Sequence, residues 1–193
     1  MIRKPHNLVT AYWDDLIYFL NEAENTPKRV VEGNLTVSFP SDKRGIRYTI
    51  LSAFLFLEAF INAEFLDQMG LSAKTSEISE FQKHILDQQL IETLFEDKWS
   101  KWLNLISPMN KEKLKGDKPF QDLMKLKDWR NHLTHYKLHQ LFLVAKEIET
   151  IENAREACAI AIQAISFYYQ VTGLAPSEWV SRDILNRLKS KKK

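Results

Sequence analysis

The chain of 193 residues holds one cysteine, Cys158, so it can form no intrachain disulfide and no cysteine-rich zinc ribbon. That cysteine lies in the apolar run EACAIAIQAI and reads as a small buried hydrophobe. Glycine and proline are also scarce, with five and six copies, about half the ordinary share. A fold made of many tight turns needs these residues, so a turn-rich all-β architecture is excluded. No long uninterrupted hydrophobic run is present either. The most apolar stretch, residues 50–65, is broken by Glu58 and Asn62 and is expected to be too short to span a bilayer. The N-terminal residues, MIRKPHNLVTAYWDDL, lack the h-region and cleavage site of a secretory signal. Together with the reduced cysteine, these features predict a cytoplasmic protein without membrane association.

A strong excess of either charge is missing from most of the chain. The net charge of +2 comes from the C-terminal NRLKSKKK, whose five positive residues leave the other 185 at −3. The body is therefore no general nucleic-acid binder, and the basic tail near 189–193 reads as a solvated, disordered end. One internal region differs: residues 111–137 carry eight Lys/Arg against four Asp/Glu, with two histidines. It is the one internal patch expected to attract phosphate.

With 45% hydrophobic and 27% charged residues, the chain is long enough for one domain, 1–193, to bury a core. The segments 46–69, 71–107 and 120–172 contain neither glycine nor proline and should hold the long helices. Tyr12, Leu16, Phe19, Leu20 and Ala23 repeat at helical spacing within a first helix over 8–24. RVVEGNLTVSFP, residues 29–40, suggests a small β-hairpin around Gly33-Asn34. A second helix, apolar nearly all round and hence central, is expected from Ser41-Asp42 to Met69-Gly70, where glycine suits a C-cap. A third stretch runs from about Ser76 to Ser107, and residues 109–118 read as a polar connector. Pro119 opens a fourth helix with Leu123, Leu126, Trp129, Arg130 and Leu133 three and four residues apart. A fifth starts around Thr150 and stops at Gly173, and a short helix follows Pro176. The expected fold is an all-α helical bundle with a minor hairpin between the first two helices.

Within the fourth helix, Arg130-Asn131-His132-Leu133-Thr134-His135 gathers a permanent cation, an amide and titratable imidazoles. Arginine clamps phosphate through its fork of donors, and histidine exchanges protons near neutral pH. Asn131 and His135 share a helical face, whereas Arg130 and His135 stand about 140° apart. The latter pair converges only at a helix end or in a cleft shared with a second chain, which argues for a dimer. Plain structural roles compete: Arg130 as an ion-pair partner of Asp128 or Glu147, and His135 as a cation at a helix C-terminus.

The run Arg130-Asn131 followed by His135 matches the R-x4-6-H motif, often R-N-x-x-x-H, of HEPN (higher eukaryotes and prokaryotes nucleotide-binding) domains. The flanking EDKW at 96–99, Pro108, KPFQ at 118–121 and WRNHLTHYK, with LEAFIN at 57–62, resemble a bacterial group of uncharacterised HEPN-like proteins over roughly residues 45–170. The resemblance implies an up-and-down bundle that dimerises with its motif helices facing each other. It also implies a composite, metal-independent endoribonuclease site that leaves 2′,3′-cyclic phosphate and 5′-hydroxyl ends. By that resemblance His135 is the acid/base group, Arg130 binds the phosphate and stabilises its charge, and Asn131 orients the site, with His132 and Tyr136 in support. RNA is the implied substrate, a homodimer the implied assembly, and an antitoxin or nucleotidyltransferase the implied partner in a toxin or defence setting. No cofactor is implied. The alternative is a helical dimerisation module that binds a nucleotide or a protein without turnover.

Other candidates carry less. His132, His135 and His139 recur at i, i+3 and i+7 but without a carboxylate at matching spacing, so no metal site is expected. Glu58 and Asn62, one turn apart on an apolar helix, must find partners and either support the Arg130 cleft or complete a structural network. Trp99, Trp102 and Trp129 fall at helical spacing and read as core. Walker A, G-x-G-x-x-G, G-x-S-x-G and H-E-x-x-H motifs are all absent, so phosphate recognition has to come from side chains on helices.

Overall fold

The computed structural model describes residues 7–26, 43–75, 92–106, 111–135 and 144–186. The expected hairpin at 29–40, Tyr136, His139 and the basic tail lie outside these residues. Those described form an all-α helical bundle: α1 (Asn7–Asn25), α2 (Arg44–Thr75), α3 (residues 95–106), α4 (Lys111–Gly116), α5 (Lys118–His135) and α6 (Ile151–Thr172). Wide π-helical turns, Val144–Ile148 and Val180–Leu185, flank α6, and no strand occurs among the described residues.

Helix α2 is the axis because its apolar residues surround it. Ile50, Ala53, Phe56, Leu57, Phe60 and Ile61 are all buried. Each large side chain so removed from water contributes about 1.5–3 kcal/mol before the entropy of ordering it is counted. Helix α1 runs antiparallel to α2, with Trp13 against Phe56 and Phe19 stacked on Tyr48. Gly45 lets the two backbones close: a Cβ there would stand 2.7 Å from the backbone nitrogen of Ala23. Helix α6 lies parallel to α2, from the Arg47–Glu149 ion pair at one end to the Phe60–Tyr168 edge contact at the other. Burial and the nearby Glu64 carboxylate push both the Tyr168 and Tyr169 hydroxyls far above their ordinary pKa. Residues 44–65 of α2 are long and apolar enough to cross a membrane by length and composition, and half of that window is buried inside the bundle.

Local signals set the ends of α6. The Thr150 hydroxyl accepts a hydrogen bond from the Asn153 N–H at 3.1 Å, and Gly173 takes φ 70° at the C-cap, donating to the Tyr169 carbonyl. Ala154, Ala157, Ala161 and Ala164 keep its buried stripe narrow, and Cys158 is buried beside them.

Three sequence expectations need correction. The apolar stretch of α2 is not too short to span a bilayer, because residues 44–65 meet that test by length and composition. Helix α2 does not stop at Gly70 but continues to Thr75, because an interior glycine lowers helix stability by only about 1 kcal/mol and leaves the i→i−4 bonding intact. Residues 111–116 are not an irregular connector but the short helix α4, whose Leu114 is completely buried and holds an otherwise polar segment to the core.

Candidate functional site

Helix α5 carries the motif. Phe120, Leu123, Leu126 and Trp129 are its buried residues and fix how the helix is rotated against α2 and α6. That rotation leaves Arg130 and Asn131 half-buried and exposes His132, Thr134 and His135.

Arg130 turns toward α2. Its guanidinium carbon lies 5.1 Å from the centre of the Phe54 ring, and its Nη1 donates to Asn131 Oδ1 at 3.0 Å. Phe54 is itself packed on Phe95 of α3, so the seat beneath the guanidinium is part of the core. The ion pairs with Asp128 or Glu147 that the sequence left open do not form: among the described residues no carboxylate pairs with Arg130. A half-buried cation laid over an aromatic face, with most of its five donors uncommitted, is arranged to receive an anion.

His135 stands elsewhere. It is the last residue of α5 and exposed. The helix carries it about 140° around and about 7.5 Å along from Arg130. On the same side, about 160° from Arg130, lie Asp128 and His132. The Asp128 carbonyl can only accept, so in the 2.7 Å contact His132 Nδ1 donates. This side of α5 borders a groove of about 650 Å³, closed from across by Glu147 and Ile148 of the first π turn. The structure thus brings Arg130 and Asn131 together and places His132 and His135 on the other side of the same helix.

Glu58 and Asn62 do not meet Arg130 through any hydrogen bond or ion pair. Glu58 accepts from Lys98 Nζ at 3.1 Å, and Lys98 is only 2% exposed, with Trp102 beside its ammonium. The Asn62 carbonyl oxygen is buried without a partner among the described residues. Lys98 is the residue that sequence reading missed. It sits among Phe95, Trp99 and Trp102, and the π turn Lys98–Trp102 rotates less per residue than an α-helix, which carries Lys98 inward with Trp99 and Ser100. A lysine amid apolar helix spacing was the available signal. Next to this pair, Lys127 of α5 bonds Glu96, and that hydrogen bond holds the Glu96 carboxyl below its ordinary pKa.

No protein-family model, curated protein or solved structure matches the chain. No group of three metal-ligating side chains occurs among the described residues.

Proposed function

We propose that this protein is a HEPN-like RNA-acting protein, a metal-independent endoribonuclease whose site is completed where the α5 helices of two copies meet. The observation that carries the reading is Arg130: a guanidinium held by Asn131 and Phe54, free of any carboxylate among the described residues, inside the basic segment 111–137. Within one chain His135 is turned away from that cation. Two copies related by a twofold axis would set the imidazole of one beside the guanidinium of the other.

In such a site His135 removes the proton of an RNA 2′-hydroxyl, and the freed oxygen attacks the adjacent phosphorus. The P–O5′ bond breaks, the His135 imidazolium returns the proton to the 5′-oxygen, and a 2′,3′-cyclic phosphate remains. Arg130 neutralises the charge that gathers on the non-bridging oxygens, and the Asn131 carbonyl keeps the fork aimed. Such a protein would suit a toxin or defence system.

The test incubates purified protein with single-stranded RNA in EDTA, beside Arg130→Ala and His135→Ala. The expected result is cleavage by the native chain and a loss of at least about a hundredfold in each variant. No cleavage, or equal cleavage by all three, overturns the assignment. A second reading, a non-catalytic nucleotide- or protein-binding module, is favoured by one observation: among the described residues nothing orients the exposed His135 imidazole. RNA retained in EDTA without any cleavage selects that reading.

A further inference from the structure

The groove on the outer side of α5 shares only His132 with the motif. Its volume of about 650 Å³ falls in the range of small-molecule sites. The floor is apolar, built from Phe120, Met124 and Ile148, with Trp129 at its edge beneath the Lys125 ammonium, 4.7 Å from the ring centre. The rim is rich in uncommitted acceptors. Asp128 and Glu147 are exposed and make no side-chain ion pair among the described residues. The donors are fewer: Lys125 is taken by Glu156 at 2.7 Å and Gln121 by the Gly116 carbonyl, which leaves Lys115.

An apolar slot rimmed by acceptors suits a flat ring whose edge carries adjacent N–H donors. Among the common RNA bases only guanine presents two such donors side by side, N1–H and the N2 amino group, and a carboxylate accepts both at once. We propose that this groove is a guanine-recognition site. The inference rests on the RNA-acting reading, and it deepens that reading by naming the base. His132 and His135 lie along the same side of α5, so the ribose of a guanosine held there would lead toward His135.

Binding of free nucleosides tests this without requiring cleavage or a phosphate contact. Calorimetry with the intact protein should show guanosine binding about tenfold or more tighter than adenosine, cytidine or uridine. The double variant Asp128→Asn with Glu147→Gln should lose that preference while keeping the native helical circular dichroism. Arg130→Ala, altered on the other side of α5, should retain it, so loss of cleavage and loss of base selection separate. Equal affinity for the four nucleosides, no guanosine binding, or unchanged preference in the double variant overturns the inference. Tighter binding of agmatine than of guanosine also overturns it, because the groove would then be selecting a guanidinium.

Discussion

The two sides of α5 solve different problems with the same types of side chain. Toward α2 and α3, charge is tied down: Arg130 lies on Phe54 and bonds Asn131, Lys127 bonds Glu96, and beneath them Lys98 pairs with Glu58. On the outer side Asp128, His132 and Glu147 are exposed around an open groove, and His135 is exposed on the same side of the helix beyond it. The inner side holds one guanidinium in place over an aromatic ring. On the outer side Lys125 and Gln121 are engaged, whereas the Asp128 and Glu147 carboxylates make no ion pair among the described residues. The two sides stand about 140–160° apart on one helix, so under the proposed function a second copy has to bring them together.

The sharpest way to break this contrast is to remove the floor of the inner side. Phe54 is 4% exposed, touches Phe95 and carries the Arg130 guanidinium. Phe54→Ala should lower unfolding free energy by about 3–5 kcal/mol, read from the urea midpoint at constant m-value. A loss below about 1 kcal/mol would mean that the ring is not part of the core and that Arg130 has no rigid seat.

How much of this could be read in advance depends on where each signal resides. The ends of α6 were legible because Thr150 and Gly173 act through their own backbone neighbours. The 140° between Arg130 and His135 was legible from helix geometry alone. The sequence could not show which of the two would face inward, since that depends on Phe54, 76 residues upstream, meeting α5 in space. The groove escaped notice for a similar reason: its far wall, Glu147 and Ile148, comes from a stretch whose hydrophobic period is unclear. Lys98 was legible in part, because Phe95 three residues before it and Trp102 four after it place it on an apolar face. Gly70 was misread because a residue that favours helix ends does not enforce one.

A smaller effect sharpens the electrostatic half of the contrast. The Glu96 pKa is depressed in the folded protein, chiefly by the Lys127 hydrogen bond. Its contribution to stability is therefore present above the ordinary glutamate pKa of about 4.3 and is lost as pH falls through the lower folded value. Both side chains are 29% exposed, so screening keeps the contribution below about 1 kcal/mol. Between pH 7 and pH 3 the native chain should lose up to that much more stability than Lys127→Met does. The difference should shrink in 1 M salt. An identical acid profile for the two proteins would remove the ion pair from the account of how the inner side is held.

The outer side should answer with almost nothing. Asp128 and Glu147 are exposed and make no ion pair among the described residues, so Asp128→Asn and Glu147→Gln remove charges that the fold does not use. Each should change unfolding free energy by less than about 0.5 kcal/mol at pH 7. The His132 contact constrains the size of the effect further, because it is made to the Asp128 backbone carbonyl and survives any change of that side chain. A loss above about 1 kcal/mol in either variant would show that these carboxylates support the bundle itself. A structural role of that kind would leave the two sides of α5 alike in kind, and the groove would no longer be a surface held open for a ligand.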